Sequence, residues 1–164
     1  VNLGSGVNSA AIEYGGALFE DDETGTITVY FCSNRLGGTG GWDIYASTLH
    51  PDETFGPAVL VPELSSPFTD FRPAIRRDGL EMFLDSDRPG TISFRDVWVS
   101  TRPSTSDPWS TPVSLGPVVN TIASYQARAT LSFDGTALYF ASSRAGGLGG
   151  SWDLYVSTRT KLKE

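Results

Sequence analysis

Two sets of charged side chains recur along this chain at near-constant spacing. Arg35, Arg88 and Arg144 are separated by 53 and 56 residues, and Asp43, Asp96 and Asp153 by 53 and 57. An arginine and an aspartate this close in each copy have the chemistry of an ion pair or a charge-assisted hydrogen bond. Because the pair recurs in every copy, it reads as a loop brace; a ligand contact would be tuned copy by copy. Between the two sets lie the glycine-rich stretches 37–41 and 146–150. A phosphate cradle needs a Lys-Ser/Thr step and a following helix, which these stretches lack, so their glycines are expected to supply unusual turn angles.

Other reactive groups are sparse. The single histidine, His50, sits in a polar stretch and offers neither a nucleophile–base set nor a His-rich metal site. The lone Cys32 rules out an internal disulfide and aligns with Asp85 and Ala141, so it reads as a small strand residue. The acidic run Glu20-Asp21-Asp22-Glu23 lacks the alternating ligand spacing of a calcium loop and is expected to be an enlarged turn. Glycoside cleavage needs two carboxylates at a defined separation, which spacing along the chain does not reveal. The expectation is therefore a non-enzymatic protein with no metal and no cofactor.

The elements that hold these residues repeat with them. YFCSNRLGGTGGWDIYAST at 30–48, FLDSDRPGTISFRDVWVST at 83–101 and YFASSRAGGLGGSWDLYVST at 139–158 are three registered copies. Asp21, Asp78 and Asp134 keep the same step, at 57 and 56 residues. A repeat of about 55 residues made of short apolar runs predicts one four-stranded propeller blade per repeat. Strand a is expected over 12–19, 71–76 and 127–133, strand b over 26–33, 80–86 and 137–142, and strand c over 42–48, 96–101 and 152–158. Asp78-Gly79 and Asp134-Gly135 mark tight a–b hairpins. Residues 57–60 and 112–116 read as outer strands d.

Residues 1–9 match 113–121 at a constant offset of 112, which makes them the outer strand of a blade preceding the first repeat. The expected division is an outer strand at 1–9, blades at 10–64 and 65–120, and a third blade at 121–164 lacking its outer strand. The fold class expected is all-β, a propeller segment of three four-stranded blades per chain. Propellers typically hold about four to eight blades. A homodimer joined through complementary open blade ends, giving six blades, is therefore expected. Tyr30, Phe31, Tyr45, Phe83, Trp98, Tyr139, Phe140 and Tyr155 should fill the layers between blades.

Strand a is innermost in a blade, and period-two alternation puts one of its faces on the central channel. That face reads Glu13, Gly15, Ala17; Asp70, Arg72, Ala74; and Gln126, Arg128, Thr130. It is polar and differs between blades, as recognition would require. Glu13, Asp70, Arg72, Gln126 and Arg128 are the candidate ligand-binding residues, and Arg35, Asp43, Arg88, Asp96, Arg144 and Asp153 the structural repeat positions.

A net charge of −7 argues against nucleic acid as a partner, and no apolar run is long enough for membrane insertion. Starting at Val1 without a Met, the chain is expected to be processed or excised from a longer one. The pattern Ser33-x-Arg35…Trp42-Asp43-Ile44-Tyr45, repeated at Ser142-x-Arg144…Trp152-Asp153-Leu154-Tyr155, resembles the TolB-type, WD-repeat-like propeller family. Arg72-Pro73-Ala74-Ile75-x-x-Asp78-Gly79 and Trp109-x-x-Pro112-x-x-Leu115-Gly116 are similar to that family's other signatures. The resemblance implies a bacterial periplasmic or extracellular setting. It also implies a module that binds a protein or a carbohydrate at the axial mouth, with a partial carbohydrate-active enzyme or a structural scaffold as alternatives.

Overall fold

The computed structural model describes residues 1–148 and 151–160, all strand and loop. The first sheet runs in order β1 (Glu13–Glu20), β2 (Ile27–Ser33), β3 (Asp43–Thr48) and β4 (Val59–Leu60), each neighbour antiparallel. The second repeats it with β5 (Asp70–Ile75), β6 (Glu81–Ser86), β7 (Asp96–Thr101) and β8 (Val113–Ser114). The third has β9 (Gln126–Leu131), β10 (Ala137–Ser142) and β11 (Asp153–Thr158).

These sheets stack face to face as blades. One apolar layer joins Tyr30, Cys32 and Ile44 of the first sheet to Met82, Leu84 and Trp98 of the second, with Leu64 and Trp109 between them. The next joins Phe83 and Val97 to Leu138 and Phe140 around Val119. A side chain fully buried in such a layer stabilises by about 1.5–3 kcal/mol. Because β6 has a blade on each side, all six of its residues are buried, the apolar Met82, Phe83 and Leu84 together with Glu81, Asp85 and Ser86, which take polar partners. In β10 Tyr139 turns outward and is about half exposed, because no further sheet covers that face.

Backbone bonds also tie the blades. The amide of Asp70 donates to Trp42 O at 2.9 Å, and the amide of Gln126 to Arg95 O at 2.9 Å, so each innermost strand starts against the preceding blade. At the opposite end Glu81 receives Arg76 at 2.9 Å and Arg159 at 2.5 Å, pinning the third blade to the second. The acidic run is a turn, with Asp21 accepting the amides of Glu23 and Thr24 at 3.0 and 2.9 Å.

Residues 1–9 do not form the expected outer strand within one chain. They cross the open face of the first blade, where Val7 is buried against Val29, Phe31 and Tyr45. A strand needs a partner edge, and the edge that the repeat assigns to this segment is strand c of a blade before the first sheet, which is not among the described residues.

Candidate functional site

Each repeated arginine is built into a latch at the end of strand b. Arg88 lies along Trp98, takes Ser86 Oγ at 3.0 Å, and donates to Leu64 O at 2.7 Å and to Asp70 Oδ1 at 2.5 Å. Arg35 does the same with Ser33 Oγ, Val7 O and Glu13 Oε1, at 3.2, 2.5 and 2.9 Å. Arg144 takes Ser142 Oγ at 2.9 Å and Val119 O at 2.5 Å. Here the equivalent of the acid is Gln126, whose amide donates to Ser124 Oγ at 2.6 Å.

This geometry corrects two expectations. The arginines do not pair with Asp43, Asp96 and Asp153. Asp43 curls onto its own loop and accepts the amides of Thr39 and Gly40 at 3.0 and 3.1 Å, and Asp96 accepts that of Ile92 at 2.8 Å. Burial pushes the Asp43 and Asp96 carboxyls upward against these bonds. Gly38 is required for this, since a β-carbon there would lie 2.1 Å from Asp43 Oδ2; at Gly147 it would lie 1.8 Å from Asp153 Oδ2. Second, Glu13, Asp70 and Gln126 do not face the channel. They are the first residues of β1, β5 and β9 and turn into the latches, which leaves Asp70 and Gln126 with no exposed surface.

Arg72 and Arg128 are placed differently. Simple alternation fails in the innermost strands because each contains a bulge, seen as register shifts beside Tyr14, Phe71 and Ala127. The residue at each bulge is left-handed: Gly15 at φ 65°, Arg72 at 50° and Arg128 at 58°. For an arginine this conformation costs roughly 1–3 kcal/mol, and such outliers cluster at functional sites. The bulge re-aims the side chain. Arg72 passes over Gly15, where a β-carbon would lie 2.9 Å from its Cα, and stacks 5.2 Å from the centroid of Tyr14.

Beneath these arginines lies Asp85, fully buried. Its Oδ2 accepts from Arg72 Nη1 at 2.9 Å and its Oδ1 from the Arg128 amide at 2.9 Å, so one carboxylate joins the innermost strands of two blades. Burial pushes its carboxyl up to about 6, with Arg72 opposing. Arg95 stacks 4.5 Å from the centroid of Phe71 on the other flank. The equivalents of Arg95 are Trp42 and Trp152, each directly before the repeated aspartate, so this position reads Trp, Arg, Trp along the chain.

The three arginines border a cleft of about 480 Å³, lined also by Tyr125, Ala127, Ala141, Trp152 and Leu154. Tyr125 and Trp152 lie 5.9 Å apart, and Phe94 stacks on Tyr125 at 5.0 Å. Among the described residues, Arg72 Nε and Arg95 Nε are buried without a hydrogen-bond partner. A cationic rim against an aromatic wall can hold a flat or ring-shaped anion. Arg95 and Asp85 were missed by the sequence reading. The available signals were an arginine where the other repeats carry tryptophan, and an aspartate where they carry Cys32 and Ala141.

No protein-family model and no curated protein matches the chain. Solved structures do match. An α-L-arabinofuranosidase from Lactobacillus brevis is similar with a TM-score of 0.59 at 16% identity, over 91% of this chain and 53% of that one. The Hadza microbial sialidase Hz136 is similar with a TM-score of 0.52 at 13% identity, over 90% of this chain and 31% of its own. The chain thus spans about half of the first protein and a third of the second. At such identities the likeness is one of fold: an all-β protein of stacked antiparallel blades, as in propeller glycosidases.

Proposed function

We propose that this chain is a non-enzymatic recognition module that binds acidic carbohydrate in the Arg72–Arg95–Arg128 cleft at the axial mouth. The observation that carries the reading is the convergence of three guanidinium groups, of Arg72, Arg95 and Arg128, on one cleft beside the Tyr125–Trp152 wall. A sugar carboxylate fits the planar donor fork of arginine, and the apolar face of a sugar ring fits an aromatic surface. The two similar structures, an arabinofuranosidase and a sialidase, support carbohydrate over protein as the ligand class. Membership of the TolB-type family and a bacterial envelope setting are part of the same proposal, and rest on the repeated Ser-x-Arg and Trp-Asp motifs.

Calorimetric titration with oligogalacturonate and with a neutral oligosaccharide of equal length tests the reading. The acidic ligand should bind more tightly, and Arg95→Ala and Arg128→Ala should each weaken it roughly 10- to 100-fold, the value of a charge-assisted hydrogen bond. Equal binding of both sugars, or unchanged binding in both variants, rejects it. The second reading, a portion of a larger carbohydrate-active enzyme, is favoured by the same two structures, of which this chain spans about half and a third. Turnover of an aryl arabinofuranoside or sialoside above background would replace the first reading with the second.

A further inference from the structure

Asp85 is a charge that a blade does not need for its fold. The same position holds Cys32 in the first blade, whose thiol donates to Tyr14 O at 3.0 Å, and Ala141 in the third. Asp85 pairs with Phe71, directly before the bulge that turns Arg72. The second and third blades, both part of this chain, bury it completely. A carboxylate offers about four lone-pair directions, and this one is met by two donors, Arg72 Nη1 and the Arg128 amide. Burial disfavours its ionised form, Arg72 opposes, and the balance leaves its carboxyl at about 6.

Its surroundings come from five segments. Arg72 of β5 and the backbone of Arg128 in β9 bond it directly, while Arg95, in the loop before β7, and Cys32 of β2 are near enough to feel its charge. Burial pushes the Cys32 thiol up to about 11, so it stays neutral where Asp85 titrates. Tyr14 of β1 stacks behind Arg72. Among the described residues, Asp85 is the carboxylate paired with the arginines of the cleft, and neither Arg95 nor Arg128 has an ion-pair partner. Arg72 keeps 21% of its side chain exposed, whereas Asp85 keeps none, so a ligand reaches the arginine and not the acid.

We propose, on the reading of the cleft as a site for acidic carbohydrate, that Asp85 is an internal stand-in for the ligand's carboxylate, which displaces it from Arg72 with uptake of one proton. In the exchange the ligand carboxylate takes the Arg72 fork, the bond from Arg72 Nη1 to Asp85 Oδ2 breaks, and Oδ2 binds a proton from solvent. Charge balances, because one anion enters the cleft as another is neutralised. Oδ1 can keep the Arg128 amide, so the two blades stay joined. Binding is tightest where Asp85 is already neutral, and it weakens as the pH rises and the internal carboxylate competes.

Calorimetric titration with oligogalacturonate from pH 5 to 8 tests the exchange, since sugar carboxylates are ionised throughout that range. The dissociation constant should rise about tenfold from pH 5 to 7 and about tenfold again by pH 8. Proton uptake, read near pH 7.5 from heats in buffers of different ionisation enthalpy, should approach one per bound chain and needs no variant. Asp85→Asn, a permanently neutral side chain, should bind at pH 8 as tightly as the parent does at pH 5, without proton uptake. His50→Gln, at the single histidine in the turn between β3 and β4, should keep the parent's slope. A flat pH profile, binding without proton uptake, an Asp85→Asn variant with the parent's slope, or a slope lost in His50→Gln overturns the exchange and leaves the acidic-sugar reading standing. No binding of the acidic sugar at any pH overturns both.

Discussion

Replacing Arg88 with alanine would strand the Asp70 carboxylate in a site with no solvent exposure, whereas the same change at Arg144 strands none, because blade three carries Gln126 there. The two arginines otherwise do matched work. Each holds a serine hydroxyl and a linker carbonyl and stacks on strand-c aromatics. Losing these two hydrogen bonds from a charged donor costs about 3–6 kcal/mol, and the loss is common to both variants. Breaking a buried ion pair from one side adds about 3–5 kcal/mol. The lower end applies to Asp70, which keeps the amide and hydroxyl of Ser66 at 2.6 and 2.8 Å and the hydroxyl of Ser86 at 2.6 Å. Arg88→Ala should therefore be less stable than Arg144→Ala by about 3 kcal/mol. At about 2–4 °C per kcal/mol for a chain of this size, its Tm should lie roughly 6–12 °C lower. The double variant Asp70→Gln/Arg88→Ala, which copies the third blade, should recover most of that difference. Calorimetric melts with urea titrations measure it. Equal stability of the two single variants, or a double variant no better than Arg88→Ala, refutes the assignment of the cost to an orphaned charge.

Three further outcomes follow from the same contacts. The Asp85 carboxyl is raised by burial to about 6 from 3.8, so its stabilisation is full below pH 4 and is lost as the pH rises through 6, by roughly 3 kcal/mol. The stability of Asp85→Asn relative to the parent should climb by that amount between pH 4 and 7, and a pH-independent difference contradicts it. Gly15→Ala should cost about 2–4 kcal/mol, from left-handed strain plus contact with the Arg72 backbone, while Gly25→Ala, left-handed but in open space, should cost only about 1; similar Tm values for both would show that the crossing is not tight. The Cys32 thiol, buried and pushed up to about 11 by that burial, should resist Ellman's reagent until denaturant is added, and prompt reaction in the native protein would argue against the packing seen.

The strands and their stacking were legible because a repeated polymer states its period three times, and each blade needs two apolar faces wherever it has two neighbours. The site was less legible, for a local reason. Period-two counting along the innermost strand assumes uniform extended backbone, and nothing in an arginine announces a positive φ. The glycine at the aligned position, Gly15, was the available hint that this position is left-handed in all three copies. The pairing of Arg35 with Asp43 was inferred from hairpin proximity. A short aspartate after a glycine turn satisfies its own loop first, whereas a long arginine side chain crosses to Glu13. Asp85 and Arg95 carried the clearest individual departures from the repeat, and each departure marks the cleft.

The latches also give the chain a direction. The carbonyls of Leu64 and Val119 belong to the linker leaving one blade, while the arginines that hold them belong to the next. Each latch thus fastens a blade to the linker that leads into it, and so couples that blade's stability to its predecessor's. Backbone amide exchange followed strand by strand should display this as unequal protection, slowest in β6, which has a blade on each side, and fastest in β11, where the latch lacks a carboxylate and one face lies open.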